Sequence, residues 1–133
     1  MTRVPSLLTA TCLVLALFAA PLSAQYVEIY RLDNRVKDLP EQDVLNTLAS
    51  HLGVPVDTLK QAKAEYKSGF GELYIVHQFA KMTRTDAKTM MSEMKSGKTW
   101  GVVAKERKID MDQFTKDARQ LEDALKKTQQ ASR

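Results

Sequence analysis

The sequence predicts an all-α domain of five or six short helices, paired as helix-turn-helix hairpins, after a cleaved signal peptide. Three observations carry this expectation. From residue 38 onward apolar side chains recur at helical spacing, as in Val44, Leu45, Leu48, Ala49 and Leu52. The stretches between these stripes hold helix-stop glycines and helix-start residues of the Asp/Thr type. A pattern also repeats at an offset of 55, with "LASHLGVPVDTLKQAKAEY" (48–66) lying over "VAKERKIDMDQFTKDARQL" (103–121). Ala49 matches Ala104, and apolar positions match at Leu48/Val103, Val54/Ile109, Val56/Met111, Leu59/Phe114 and Tyr66/Leu121. Matched apolar positions across a turn are the mark of an αα-hairpin.

The first 24 residues carry the pattern of an export signal. Arg3 supplies a positive start, Leu7 to Ala20 is a 14-residue run without charge, Pro21 breaks it, and Leu22-Ser23-Ala24 precedes a cut before Gln25. A membrane-spanning helix needs about 20 apolar residues, so no transmembrane anchor is expected after cleavage. Cys12, the single cysteine, lies inside the apolar run, so a mature chain beginning at Gln25 forms no disulfide and depends on a packed core. Its 19 basic and 16 acidic side chains leave a net charge of +3, which suits attraction to anionic envelope surfaces and falls short of a dedicated nucleic-acid patch.

Residues 25–37, "QYVEIYRLDNRVK", show no clean period and are expected as an extended or poorly ordered lead-in. The helical domain is expected over 38–128. Asp38 with Glu41 fits a capping box, Pro40 suits a first helical turn, and Gly53 stops the first helix. Asp57 opens a second helix with Leu59, Ala62 and Tyr66 on one side, and "SGFG" at 68–71 breaks it. "ELYIVHQFAKM" is apolar around most of its circumference, which marks the central buried helix. Thr83 and Asp86 suggest the next capping box, and Ala87, Met90, Met91 and Met94 follow at i, i+3, i+4, i+7 before Gly97. A short helix is expected over 100–108. Asp110 with Gln113 caps the last, along which Phe114, Ala118, Leu121 and Leu125 run to a frayed tail at 129–133.

Lookalike motifs fail on physical grounds. Gly97-Lys98-Thr99 resembles the end of a Walker A loop, but Ser92 stands where the first glycine must close on phosphate, and a helix precedes it instead of a strand. Ser92 to Lys95 spells S-x-x-K and shares its lysine with Lys95-Ser96-Gly97, whereas those two elements of penicillin-binding enzymes lie far apart in sequence. The first hairpin resembles a DNA-binding helix-turn-helix, yet the second helix of the later hairpin, 112–127, balances four basic against four acidic residues. Met90, Met91 and Met94 suggest a Cu(I) site through soft thioethers, set against their spacing, which is that of core gap-fillers. His77 is expected as a satisfied core or rim histidine, and His51 as a cation favoured by its helix end. No nucleophile–base–acid set has suggestive local context, so no catalytic residues, cofactor or metal are expected.

Residues 69–105 carry Gly69, Gly71 and Glu72, then Ser96-Gly97, then Trp100, Gly101, Ala104 and Lys105. This arrangement resembles an uncharacterised family of small exported bacterial proteins with a GxGE … SGxxWGxxAK pattern. It departs at Thr99, where a glycine is common, and at 107–109, "RKI", where "LGV" is common. The resemblance implies export and an all-helical domain, and brings no catalytic residue with it. Trp100, the sole tryptophan, is expected to plug the core between hairpins. The functional alternative makes Phe70, Tyr74 and Trp100 a partner-binding anchor, because exposed aromatics are frequent hot spots. The leading expectation is a non-enzymatic protein of the periplasm or beyond, binding an envelope protein or an anionic envelope component. A Cu(I)-binding protein and a DNA-binding module are the alternatives.

Overall fold

The computed structural model describes residues 31–133; the expected export signal (1–24) and residues 25–30 lie outside them. The described residues form helices joined by short turns and include no strand. A helical segment over 31–36 (α1) leads into α2 (Glu41–Leu52), α3 (Val56–Tyr66), α4 (Phe70–Thr83), α5 (Ala87–Lys95), α6 (Trp100–Glu106) and α7 (Met111–Ala131). The six from α2 onward match the expected helices. Segment α1 does not match the expected lead-in.

One connector is used four times. After Ala49, Lys63, Ala80 and Ala104, the residue four places on adopts left-handed φ: Gly53 at 67°, Lys67 at 51°, Arg84 at 54° and Lys108 at 54°. The next N–H then bonds back across the helix end: Val54 to the Ala49 carbonyl at 3.1 Å, Ser68 to Lys63 at 3.4 Å, Thr85 to Ala80 at 3.0 Å and Ile109 to Ala104 at 2.9 Å. This is the Schellman closure, which satisfies carbonyls a helix end would otherwise orphan. The residue after it is the N-cap of the next helix: Pro55, Gly69, Asp86 and Asp110. Four residues beyond each cap stands a buried anchor: Leu59, Leu73, Met90 and Phe114. The offset-55 repeat is two copies of this connector, with Gly53 over Lys108 and Leu59 over Phe114. The α5–α6 turn differs, with Gly97 at φ 101° and Thr99 capping through its hydroxyl to the Val102 N–H at 3.3 Å.

The caps shift from three sequence expectations. Pro40, not Asp38, is the N-cap of α2, and no side chain caps that helix. Asp57 lies inside α3, which starts at Val56 after Pro55. Thr83 ends α4 by donating its hydroxyl to the Phe79 carbonyl at 2.8 Å, while Asp86 itself caps α5 by accepting from the Thr89 N–H at 2.9 Å. Asp110 behaves as expected, accepting from the N–H groups of Asp112 and Gln113. The short helix stops at Glu106 rather than 108, because Lys108 must turn left-handed. Helix α7 runs on to Ala131 and leaves little of the expected tail at 129–133.

The core forms around α4, whose residues Leu73 to Ala80 are all buried. Helix α2 packs against α3, α4 and α7, α4 also packs against α3 and α5, and α5 packs against α6. Contact of α2 with α7 closes the bundle between its distant parts. The hydroxyls of Thr47 and Thr128 meet there at 3.0 Å. Segment α1 and the turn after it dock onto this body through buried Leu32, Val36 and Leu39. Asp33 Oδ1 accepts from the Gly71 N–H at 2.9 Å, capping α4 from another helix where Gly69 has no side chain to do so. A Cβ at Gly69 would lie 3.3 Å from that carboxylate oxygen, so the bare glycine lets α1 approach. Arg35 Nη2 pairs with Glu122 Oε1 at 2.5 Å and ties α1 to α7.

Candidate functional site

The three aromatics expected as a partner anchor do not share a surface. Tyr74 is 3% exposed and belongs to the core, which removes it from any docking face. Its ring lies 5.9 Å from Phe114, Phe114 lies 5.2 Å from Phe79, and Phe79 meets Trp100 edge-on at 5.7 Å and 85°. Trp100 is therefore half-buried at the end of an aromatic chain through the core, as its plugging role requires. Phe70 is half-buried elsewhere, with Lys63 Nζ 5.0 Å from its ring centroid. The physical reason is the circumference of α4: a helix apolar on most sides is enclosed on most sides, and Tyr74 goes in with it.

The polar groups enclosed with α4 are poor chemical agents. The hydroxyl of Tyr74 has no hydrogen-bond partner, and burial, then the nearby Asp117 carboxylate, push its ionisation far above the usual phenol range. His77 is 7% exposed with Nε2 unpartnered, so it is a core histidine but not a satisfied one at that nitrogen. Burial lowers its pKa. Burial likewise lowers the pKa of His51; Asp117 opposes this and Lys81 adds to it, so the cation expected at that helix end is disfavoured. Asp117 accepts from Gln78 Nε2 and from Gln113 Nε2, both at 2.8 Å. A cavity lined mainly by apolar side chains, among them Leu32, Ile75, Phe114 and Leu121, and also by Arg31 and Glu122, has about 20 Å³ of room, enough for one water and too little for a substrate.

Met90 and Met91 are 0% and 2% exposed and pack in the core, with Met94 partly buried against it. The copper alternative required these thioethers to face a cavity or solvent, and the two inner ones face neither. Among the described residues no group of three or more His, Cys, Asp or Glu side chains could hold a metal ion. Helix α7 turns Phe114, Leu121 and Leu125 inward against the bundle, and it carries no net basic face for a DNA groove.

What remains distinctive is the surface charge. Residues 81–108 carry eight basic and three acidic side chains, a net of +5, whereas 31–80 sum to −1 and 109–133 to zero. The whole cationic excess of the described chain therefore lies on the end of α4, on α5, on α6 and on their turns. The fold gathers it. Arg107 donates from Nη1 to Thr85 Oγ1 at 3.1 Å and grips Glu93, with Nε 3.1 Å and 3.2 Å from its two carboxylate oxygens. That fork holds the α4–α5 corner, bearing Arg84, beside the α6–α7 corner, bearing Lys108. The end of α4 (Met82, Thr83) and residues Glu106 to Asp110 border one shallow cleft there.

Two of the three acids in this stretch are engaged by its own cations. Arg107 holds the Glu93 carboxyl below its ordinary range, chiefly through hydrogen bonding, and Lys98 Nζ meets Glu106 Oε2 at 2.7 Å. Lys81, Arg84, Lys88, Lys105 and Lys108 remain exposed around them. Nothing in the sequence period singles out this face, because it is assembled from turn residues on three helices. A running charge count along the chain is the signal that finds it. No protein-family model matches this chain, and no curated protein or solved structure matches it either.

Proposed function

We propose that the chain is a small exported, non-enzymatic binding protein that docks onto an anionic envelope component through the basic face of α5, α6 and the two corners flanking them. The observation that carries this reading is the concentration of the cationic excess, +5 over residues 81–108, on one end of an otherwise balanced molecule. A solvated surface with no partner has no need to segregate charge, and a one-signed face raises encounter rates with the opposite sign. The N-terminal run "TRVPSLLTATCLVLALFAAPLSA", one arginine ahead of an uncharged apolar stretch, supports export. Burial of Tyr74, His77, Met90 and Met91 supports a role that needs no reactive side chain.

Two measurements test the reading. Fractionation of cells making the full chain should place a processed form outside the cytoplasm; an unprocessed cytoplasmic product removes export. Washed bacterial envelope fragments should sediment residues 25–133, with retention falling steeply as salt rises. The triple reversal Arg84→Glu, Lys105→Glu, Lys108→Glu should abolish that retention while leaving the helical circular dichroism intact. Retention unchanged by the reversal would end the assignment of this face.

A further inference from the structure

We infer that the occupant of the basic face is an anionic phospholipid bilayer, met in the plane of its headgroups with Val102 as the inserting side chain. This rests on the docking reading above and adds the chemistry of the partner. Three features favour a bilayer over a compact anionic ligand or an acidic protein.

The first is the kind of cation. Six of the eight basic residues in 81–108 are lysines; of the two arginines, Arg107 is committed to Glu93 and Thr85, which leaves Arg84 as a single exposed fork among lysines. Bidentate recognition of one phosphate or carboxylate uses a free arginine fork, whereas lysines act as mobile point charges suited to a diffuse anionic plane. The second is shape. Arg84 and Lys108 stand exposed at left-handed corners, and Lys105 is exposed on α6. This set comes from two turns and one helix, and of the three only Lys108 borders the shallow cleft.

The third is apolar. Val102, at 42%, is the exposed large hydrophobic residue of the described chain. It precedes Lys105 by three residues on α6, so the two are neighbours on its outward face, opposite buried Val103 and Ala104. Half-buried Trp100 begins the same helix. An aliphatic tip and a tryptophan beside lysines is the composition of an interfacial contact. No helix among the described residues is long and apolar enough to cross a membrane, so the contact is peripheral.

The test titrates residues 25–133 with vesicles of phosphatidylcholine containing phosphatidylglycerol, with pure phosphatidylcholine vesicles, and with soluble polyglutamate. Binding is expected to the phosphatidylglycerol vesicles, weakening with salt, and not to phosphatidylcholine alone. Lys105→Gln should weaken it about fivefold, the worth of one cation near an anionic surface. Val102→Ser, at a site too exposed to endanger the fold, should weaken it about tenfold from lost apolar burial. Lys126→Gln on α7 should leave it unchanged. Binding to polyglutamate without binding to vesicles would overturn the bilayer and leave the docking face standing. Binding to neither would overturn both. Vesicle binding insensitive to Lys105→Gln and Val102→Ser would overturn this placement of the membrane contact.

Discussion

His77 shows at the residue scale how enclosure converts a titratable group into a liability. It sits on α4 at 7% exposure with Nε2 unpartnered, and burial lowers its pKa from an ordinary value of 6.5. Below that ordinary value the unfolded chain takes up the proton and the folded chain resists it. The unfolded state then binds more protons, so stability falls as pH drops through the unfolded value towards the depressed folded one. His51 has the same sign. Asp86 and Glu93 are also held below their ordinary values and contribute only at more acidic pH. Urea unfolding midpoints should therefore fall between about pH 7.5 and about pH 5.5, where histidine is the side chain that ordinarily titrates. His77→Leu, similar in volume and without a polar nitrogen to desolvate, should shrink that fall and lose nothing at the higher pH. A pH response identical to that of the parent chain would show that His77 titrates freely. The sequence makes His77 a core residue through its apolar neighbours. It does not show the unpartnered nitrogen, which depends on what α4 meets and not on α4 itself.

At the scale of elements, the helices were legible because each carries a stripe at helical spacing, and the connectors were legible only where their chemistry was standard. Gly53 announces a left-handed stop. Lys67, Arg84 and Lys108 occupy the same conformation at φ of 51°, 54° and 54° with nothing in their side chains to say so. Segment α1 was missed for a related reason. Leu32, Val36 and Leu39 lie at i, i+4, i+7, but the stripe runs past the expected boundary at 37 and ends beside Pro40. Its decisive contacts, Asp33 to Gly71 and Arg35 to Glu122, are with distant helices. The shared connector makes a paired prediction. Left-handed backbone costs a residue with a Cβ about 1–2 kcal/mol relative to glycine, less what the unfolded chain gains in freedom. Lys67→Gly should stabilise the protein by about 0.5–1 kcal/mol, and Gly53→Ala, with no atom near its added Cβ, should destabilise it by about 1 kcal/mol through backbone strain alone. Equilibrium denaturation of the two single variants measures both. Equal and opposite positions with the same sign of effect would mean the connectors are not equivalent.

For the whole molecule, repeated connectors raise the question of whether the chain is an open stack of hairpins or a closed body. The basic face does not decide it, since either could display one. That face was only half legible in any case. The charge count is in the sequence, but its assembly from two corners needs the Arg107 bridge to Thr85 and Glu93, between residues 22 and 14 places apart. Closure is decided by α7. Leu121 and Leu125 are 0% exposed, as are Val44, Leu45 and Leu48 on α2, and the two helices pack together across most of the chain. In an open stack each hairpin touches only its neighbours, and removing the last leaves the others folded. Here removal of α7 would bare the apolar stripe of α2 and one side of α4. Leu125→Ala should cost about 2–5 kcal/mol, a sizeable part of the 5–15 kcal/mol that holds a typical domain. It should shift one cooperative transition without splitting it. Ending the chain after Asp110 should abolish cooperative unfolding altogether. A truncated protein that still melted in a sharp transition, with α2 to α5 helical by circular dichroism, would mean that stability is local to the hairpins and that the α2–α7 contact only decorates them.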